Sequence, residues 1–190
     1  MAKFNVPHSR GSVLSGDLFA HSWSRFFQDV SRRIGSNKSY SLGGRLATVT
    51  TAVGNVGSGQ DNLISYSLEK NTLLNAGETL EIVAFGSQAA NGNNKTIKLI
   101  FGSTTLFSTG AVASNAKDWC IKATIIRTGA ATQECITEFS GDTVLVTQTS
   151  DYVTATEDFT TALTIKCTGE ATSDNDIIQK GLVVKLFPVN

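Results

Sequence analysis

From about Asn62 onward the chain places apolar residues at every second position in short runs. Ile97, Leu99 and Phe101 form one such set, and Leu163, Ile165 and Cys167 another; this is the period of a strand with one buried face. The candidate strands are LISYSLE, TLEIVAFGSQ, KTIKLIFG, TTLFSTG, DWCIKATIIRT, TQECITEFS, DTVLVTQTS, ALTIKCTGE and GLVVKLFPV. Between them lie NAGE, ANGNNK, SNAKD, RTGA, SGD and TSDND, whose Gly, Asn, Asp and Ser favour turns. Short strands at this spacing, with no helical period between them, predict a mainly β, antiparallel sandwich, and the strand count points to a jelly-roll-like arrangement.

A different period occupies the first part of the chain. Phe19, Trp23, Phe26, Phe27, Val30 and Ile34 recur at helical steps and share one stripe, which predicts one N-terminal α-helix. Ser15 or Asp17 can cap its start, Gly35 can end it, and Arg32 and Arg33 suit the negative end of its dipole. Pro7 keeps the residues before it extended. A Gly/Ser/Thr-rich stretch follows, with room for a short strand at RLATVTTAV. The expected organisation is an arm and helix over 1–35, a linker over 36–61, and a β-sandwich domain over 62–190.

Composition sharpens this picture. Only 17% of the 190 residues are charged, against roughly 25% for an average globular domain. A surface covered by copies of the same chain needs less charge, and the formal net charge of zero eases self-association. Zero net charge also gives no general pull toward nucleic acid or an anionic membrane. No stretch approaches the roughly 20 apolar residues of a membrane span, and MAKFNVPHSRGS lacks the apolar region of a secretory signal. Cys120, Cys135 and Cys167 form no CxxC pair and read as reduced core thiols made in a cytosol; a bridge between Cys120 and Cys135 is the other reading.

The chemistry-bearing templates fail one by one. The only histidines, His8 and His21, lie in the arm, so the β-region offers no base for a serine nucleophile and no zinc set. Neither a phosphate-binding loop nor a dinucleotide fingerprint is present. Glu69, Glu78, Glu81, Glu134, Glu138, Asp142, Asp151, Glu157, Asp158 and Glu170 supply carboxylates for glycoside hydrolysis, but few rings accompany them on which a sugar could stack. Asp174, Asn175 and Asp176 could offer oxygens to calcium, yet lack the Gly and distal Glu of an EF-hand loop and fit a hydrogen-bonded turn better. Trp119 and Phe101 read as core. The expectation is a non-enzymatic protein with no catalytic residue, cofactor or metal.

The arm stands out because an isolated helix of this length is marginal in water. Its rings, left uncovered, would form an aggregation-prone patch. The stripe therefore packs either on its own sandwich or on another chain, and the long polar linker favours another chain. Aromatic residues beside Arg25 and Arg32 are also the types that dominate interface hot spots.

The segment VPHSRGSVLSGDLFAHSWSRFFQDVSRRIG resembles the N-terminal part of small tailed-phage virion proteins, in which a Pro-containing arm precedes a Trp-x-Arg-Phe-Phe helix. NNKTIKLIFGSTTLFSTGAV, DWCIKATIIRTGAATQE and LTIKCTGEATSDNDIIQKGLVVKLFPV resemble a β-sandwich module of phage tail-appendage, head-fibre and capsid-decoration proteins. The resemblance implies a virion structural protein, made in the bacterial host cytoplasm and assembled as a homotrimer. It implies a short tail fibre or tail-attached appendage held to a tail adaptor, a baseplate or the major capsid protein. By position, Trp23, Arg25, Phe26 and Phe27 would make that attachment, together with the rest of the stripe. The alternatives are a capsid decoration, cement or head-fibre protein at capsomer junctions, and a carbohydrate-binding module that meets host surface glycan. A fibre normally carries a long trimeric stalk, and here only the short linker stands in its place. In a tail protein the loops NAGE, ANGNNK and TSDND would be free to touch a host.

Overall fold

A computed structural model describes residues 44–113, 118–141 and 150–189. The expected N-terminal helix, its stripe from Phe19 to Ile34, and most of the candidate strand DTVLVTQTS lie outside the described residues.

The described chain is mainly antiparallel β. In order it forms β1 (Gly44–Val49), β2 (Val53–Gly54), β3 (Gly59–Leu68), β4 (Thr79–Gln88), β5 (Asn94–Phe101) and β6 (Thr104–Ser108). There follow β7 (Val112–Ala113), β8 (Asp118–Gly129), β9 (Thr132–Gly141), β10 (Ser150–Ala155), β11 (Leu163–Ala171) and β12 (Ile177–Phe187). One sheet of seven strands runs β1-β12-β4-β8-β9-β10, with β2 also on β12; a sheet of five runs β3-β11-β5-β6, with β7 on β5. Residues 44–61, read from the sequence as linker, thus carry β1, β2 and the start of β3, and the β-region reaches back to Gly44. The short strand expected near RLATVTTAV is β1 at the sheet edge, hydrogen-bonded to β12.

Alternation decides which side chains meet between the sheets. Leu80, Ile82 and Ala84 of β4 and Ile121, Ala123 and Ile125 of β8 are buried, as are Ile97, Leu99 and Phe101 of β5 and Leu163, Ile165 and Cys167 of β11. Each large aliphatic side chain removed from water contributes about 1.5–3 kcal/mol. Phe107 of the small sheet stacks on Phe139 of the large one at 5.4 Å and 13°, which joins the two layers by a ring pair. Trp119 is buried as expected and lies on Gly86, its register partner. A Cβ at Gly86 would approach the Ile178 carbonyl to 2.0 Å and the indole to 2.8 Å, so only glycine fits beneath that ring.

Two buried polar side chains also span the layers. Gln179 of β12 accepts a hydrogen bond from the Ile64 amide of β3 at 2.9 Å. Gln133 of β9 exchanges two hydrogen bonds with the backbone of Glu157, both 2.9 Å. The Glu157 carboxylate in turn accepts from the Ser103 amide, the Ser103 hydroxyl and the Thr104 hydroxyl at the β5–β6 turn. Burial alone would raise the Glu157 pKa, but the hydrogen bonds from Thr104 and Ser103 outweigh it and hold the carboxyl below its ordinary value.

Glu157 accordingly links fold stability to pH. Its folded pKa lies below its unfolded one, so its contribution is complete above the ordinary carboxylate range and lost as pH falls through the folded value. Glu157→Ala should cost about 2 kcal/mol at neutral pH by leaving the Ser103 and Thr104 donors unpaired. The loss should shrink on acidification, as read by urea unfolding at two pH values. An equal loss at both would remove the carboxylate from the account.

Candidate interaction surface

Register settles which residues point away from the core, because directly opposed positions share a face. On the seven-stranded sheet the outward rungs read across neighbouring strands. One is Arg45, Lys185, Glu81, Thr124, Ile136 and Tyr152, and the next is Thr48, Val183, Val83, Lys122, Glu138 and Ser150. Another holds Phe187, Thr79, Ile126, Glu134 and Thr154, and Phe85 sits between Gly181 and Cys120. Tyr152 is 64% exposed, Ile136 45%, Phe187 45%, Phe85 41% and Ile126 40%. These rings and branched side chains share one sheet face with Arg45, Lys185, Glu81, Lys122, Glu134 and Glu138, so the face is a mosaic of exposed apolar groups set among charges. Several large apolar side chains exposed on one face mark an interaction site.

The opposite outer face is chemically unlike it. On the five-stranded sheet, Thr164 opposes Ser67, Lys166 opposes Ser65, and Thr168 lies between Asn62 and Lys98. Ile100 pairs with Thr105, and Lys98 donates from Nζ to the Gln60 side chain at 2.8 Å. Hydroxyl, amide and charged groups line this face beside Ile100, with Thr168 itself buried, and none of the exposed large apolar side chains of the described residues lies on these strands.

Charges on the apolar face are arranged across its width. Arg45 and Lys185 lie on the β1–β12 flank, and Glu134 and Glu138 on β9. Lys185 and Glu81 approach to 3.9 Å, with both side chains about half exposed. The Tyr152 hydroxyl donates to Glu134, which also accepts from the Thr154 hydroxyl at 3.0 Å; the bond to Glu134 raises the phenol pKa.

Loops gather at the two ends of the sheets. ANGNNK and TSDND meet at one end, where the Ala89 amide donates to the Asp176 carbonyl. NAGE is at the other end, where Gly77 and Arg127 pair through their backbones. The three loops expected to be free to touch a host thus lie at two ends, NAGE at one and ANGNNK with TSDND at the other. Asp176 is buried, and its carboxylate accepts from the Asn91 and Asn93 amides and from the Ser173 backbone. Burial opposes ionisation, but the bonds from Asn93 and Asn91 prevail and keep its pKa low. Lys95 Nζ donates to the Asn91 side chain at 2.9 Å; burial lowers its pKa against the attraction of Asp176. Asn55 adds bonds to the Ser173 carbonyl at 2.9 Å and from the Ile177 amide at 2.8 Å. Asp174 takes the Gly57 amide, so TSDND is a hydrogen-bonded turn tied into its neighbours.

Other carboxylates raised as sugar-cleaving candidates are held by local bonds. Glu78 accepts from the Leu74 and Asn75 amides and from the Asn75 side chain, and Asp158 from the Thr160 amide and hydroxyl. Hydrogen bonds from the Thr160 backbone and hydroxyl lower the Asp158 pKa. A general acid in glycoside hydrolysis needs the opposite shift. All three cysteines are free. Cys135 is buried and Cys120 lies on the outer face, so the two thiols sit on opposite sides of the sheet and no bridge joins them. Burial pushes the Cys135 and Cys167 thiols up to about 12. The sequence reading missed the apolar face. Its signal was the unbroken run of apolar residues in IVAF and GLVV, where a sheet solvated on one side would alternate.

Asp176→Ala should speed hydrogen exchange in the Asn55 and Ser173–Ile177 turns and lower stability by about 1–3 kcal/mol. Added calcium should leave the melting temperature of the unaltered chain unchanged. A rise with calcium would show that the turn oxygens bind metal.

No family model matches the chain, and no curated protein matches it. Among solved structures it is similar to the CBM2 module of the evolved Dit of Lactobacillus casei BL23 phage J-1, with a TM-score of 0.36 and 10% identity over 78% of this chain and 97% of that one. A likeness at that score carries no argument about what the chain does.

Proposed function

We propose that this chain is a non-enzymatic structural protein of a tailed-phage particle: a homotrimeric short tail fibre or tail-attached appendage, held to the virion by its N-terminal arm. The observation that carries the reading is the unlikeness of the two outer sheet faces. One is hydroxyl-rich and suits water, while the other exposes Phe85, Ile126, Ile136, Tyr152 and Phe187 and suits burial against protein. A domain built as part of an assembly has this construction, and one built to work alone gains nothing from it.

The domain is read as a jelly roll. With β2, β7 and the β9–β10 hairpin set aside, the strand orders β1-β12-β4-β8 and β3-β11-β5-β6 are those of two four-stranded sheets linked by Greek-key crossings. The arm supplies attachment through Trp23, Arg25, Phe26 and Phe27, supported by Phe19, Val30 and Ile34. Its resemblance to virion arms and its single aromatic stripe support this role. The carboxylates of Glu157, Asp158 and Asp176, all with lowered pKa values, are suited to holding turns and not to proton transfer.

Electron microscopy of particles carrying labelled chain tests the location: label at the tail supports the appendage, and label over the head replaces it with capsid decoration. Changing Trp23, Phe26 and Phe27 together to alanine should leave the β-domain folded by circular dichroism yet abolish incorporation into particles. Normal incorporation of the triple variant would end the docking role of the arm.

A further inference from the structure

We infer that the outer face of the seven-stranded sheet is the contact between copies of this chain: three copies turn this face toward a common axis along the strands, with the β1–β12 flank of one against the β9–β10 flank of the next. The number three rests on the trimer of the proposed function; the choice of surface does not.

Three observations select a second copy as the occupant. The first is charge. Arg45 and Lys185 lie on one flank and Glu134 and Glu138 on the other; between them Glu81 and Lys122 offset each other in charge among Val83, Val183, Phe85 and Ile136. A head-to-tail contact repeated around an axis brings unlike flanks together and leaves the apolar band facing inward. The second is level. Arg45 and Tyr152 end the same rung on opposite edges of the sheet. A ring sets these two edges side by side and turns Arg45 of one copy toward the Tyr152 edge of its neighbour, with Glu134 and Glu138 one rung to either side. A guanidinium over a phenol ring is favourable in itself.

The third is area. At about 4.8 Å per strand and 3.4 Å per residue, this face spans roughly 24 by 30 Å. Each chain would thus cover about 700 Å², close to the roughly 800 Å² that one partner contributes to a standard interface. A chain of zero net charge adds no long-range repulsion against its own copies.

The test uses the full chain. Native mass spectrometry should give the mass of three chains, and Ile136→Glu, at an exposed position, should give the mass of one with an unchanged circular dichroism spectrum. Arg45→Glu and Glu138→Arg should each raise the dissociation constant several-fold, and the double exchange should restore it. Cys120 provides a second measurement that does not depend on mass. It is half-buried on this face, while Cys135 and Cys167 are buried. Alkylation of Cys120 should be slow in the assembled chain and fast in the Ile136→Glu variant.

A single-chain or two-chain mass for the unaltered protein overturns the ring. So does a three-chain mass that Ile136→Glu leaves intact, or equal Cys120 alkylation in both proteins. The ring and the virion reading fail separately. A ring-forming chain never found on particles sinks only the virion role, and a single-chain protein found on particles sinks the ring and the homotrimer while leaving the virion role.

Discussion

The dry layer between the two sheets governs the rest of the molecule. Strand side chains alternate except at bulges, so once Leu80, Ile82, Ala84 and their partners on β5 and β11 are committed to the interior, the residues between them on β4 face outward. The Phe107–Phe139 stack and the Gln179 and Gln133 clamps hold the layers in one register. A slip of one residue would carry the whole set to the wrong side. The outward set is therefore a direct consequence of core packing, and its chemistry is free to be selected for something else. On the five-stranded sheet that set is mostly polar, and on the seven-stranded sheet charges alternate with exposed Phe85, Ile126, Ile136, Tyr152 and Phe187.

How much of this was legible in the sequence follows from where alternation is unbroken. TLEIVAFGSQ coincides with β4, and the runs around Lys95–Phe101 and Leu163–Glu170 fall within a residue or so of β5 and β11. The errors sit at irregularities. The β12 strand begins at Ile177, ahead of the GLVV run, because a bulge between Gln179 and Gly181 interrupts the period. A similar shift lies between Arg45 and Ala47 of β1, whose short strand was expected at RLATVTTAV within a Gly- and Thr-rich stretch that otherwise reads as linker. SDYVTA at β10 mixes Asp, Thr and Tyr with two small apolar residues and lacks a hydrophobic face to read.

The surface was harder to see than the fold, and for a physical reason. A sequence shows that Val83 and Phe85 are apolar, but only pairing shows that they lie outward beside Val183 and Cys120. Turn chemistry was informative about local structure and silent about location. NAGE, ANGNNK and TSDND were all correctly expected to be turns, yet the hairpin order sends the first to one end and the other two to the opposite end, where Asp176 binds them together. Carboxylates that looked available as acids are the groups that hold those turns.

The low charge content connects these levels. A lone sandwich with a wide apolar outer face would be an aggregation hazard, and the usual remedy is a dense surface charge. Here only 17% of residues are charged. On the exposed face unlike charges oppose each other in adjacent strands, Lys185 beside Glu81 and Lys122 beside Glu138, so the centre of the face is nearly neutral. Neutral pairs cost less to cover than single charges, because each partner retains a hydrogen-bonding or Coulombic neighbour when water leaves. Sparse charge in the chain as a whole, with unlike charges opposed across adjacent strands of this face, lowers the cost of covering it with protein. That is the physical content of reading this chain as a building block.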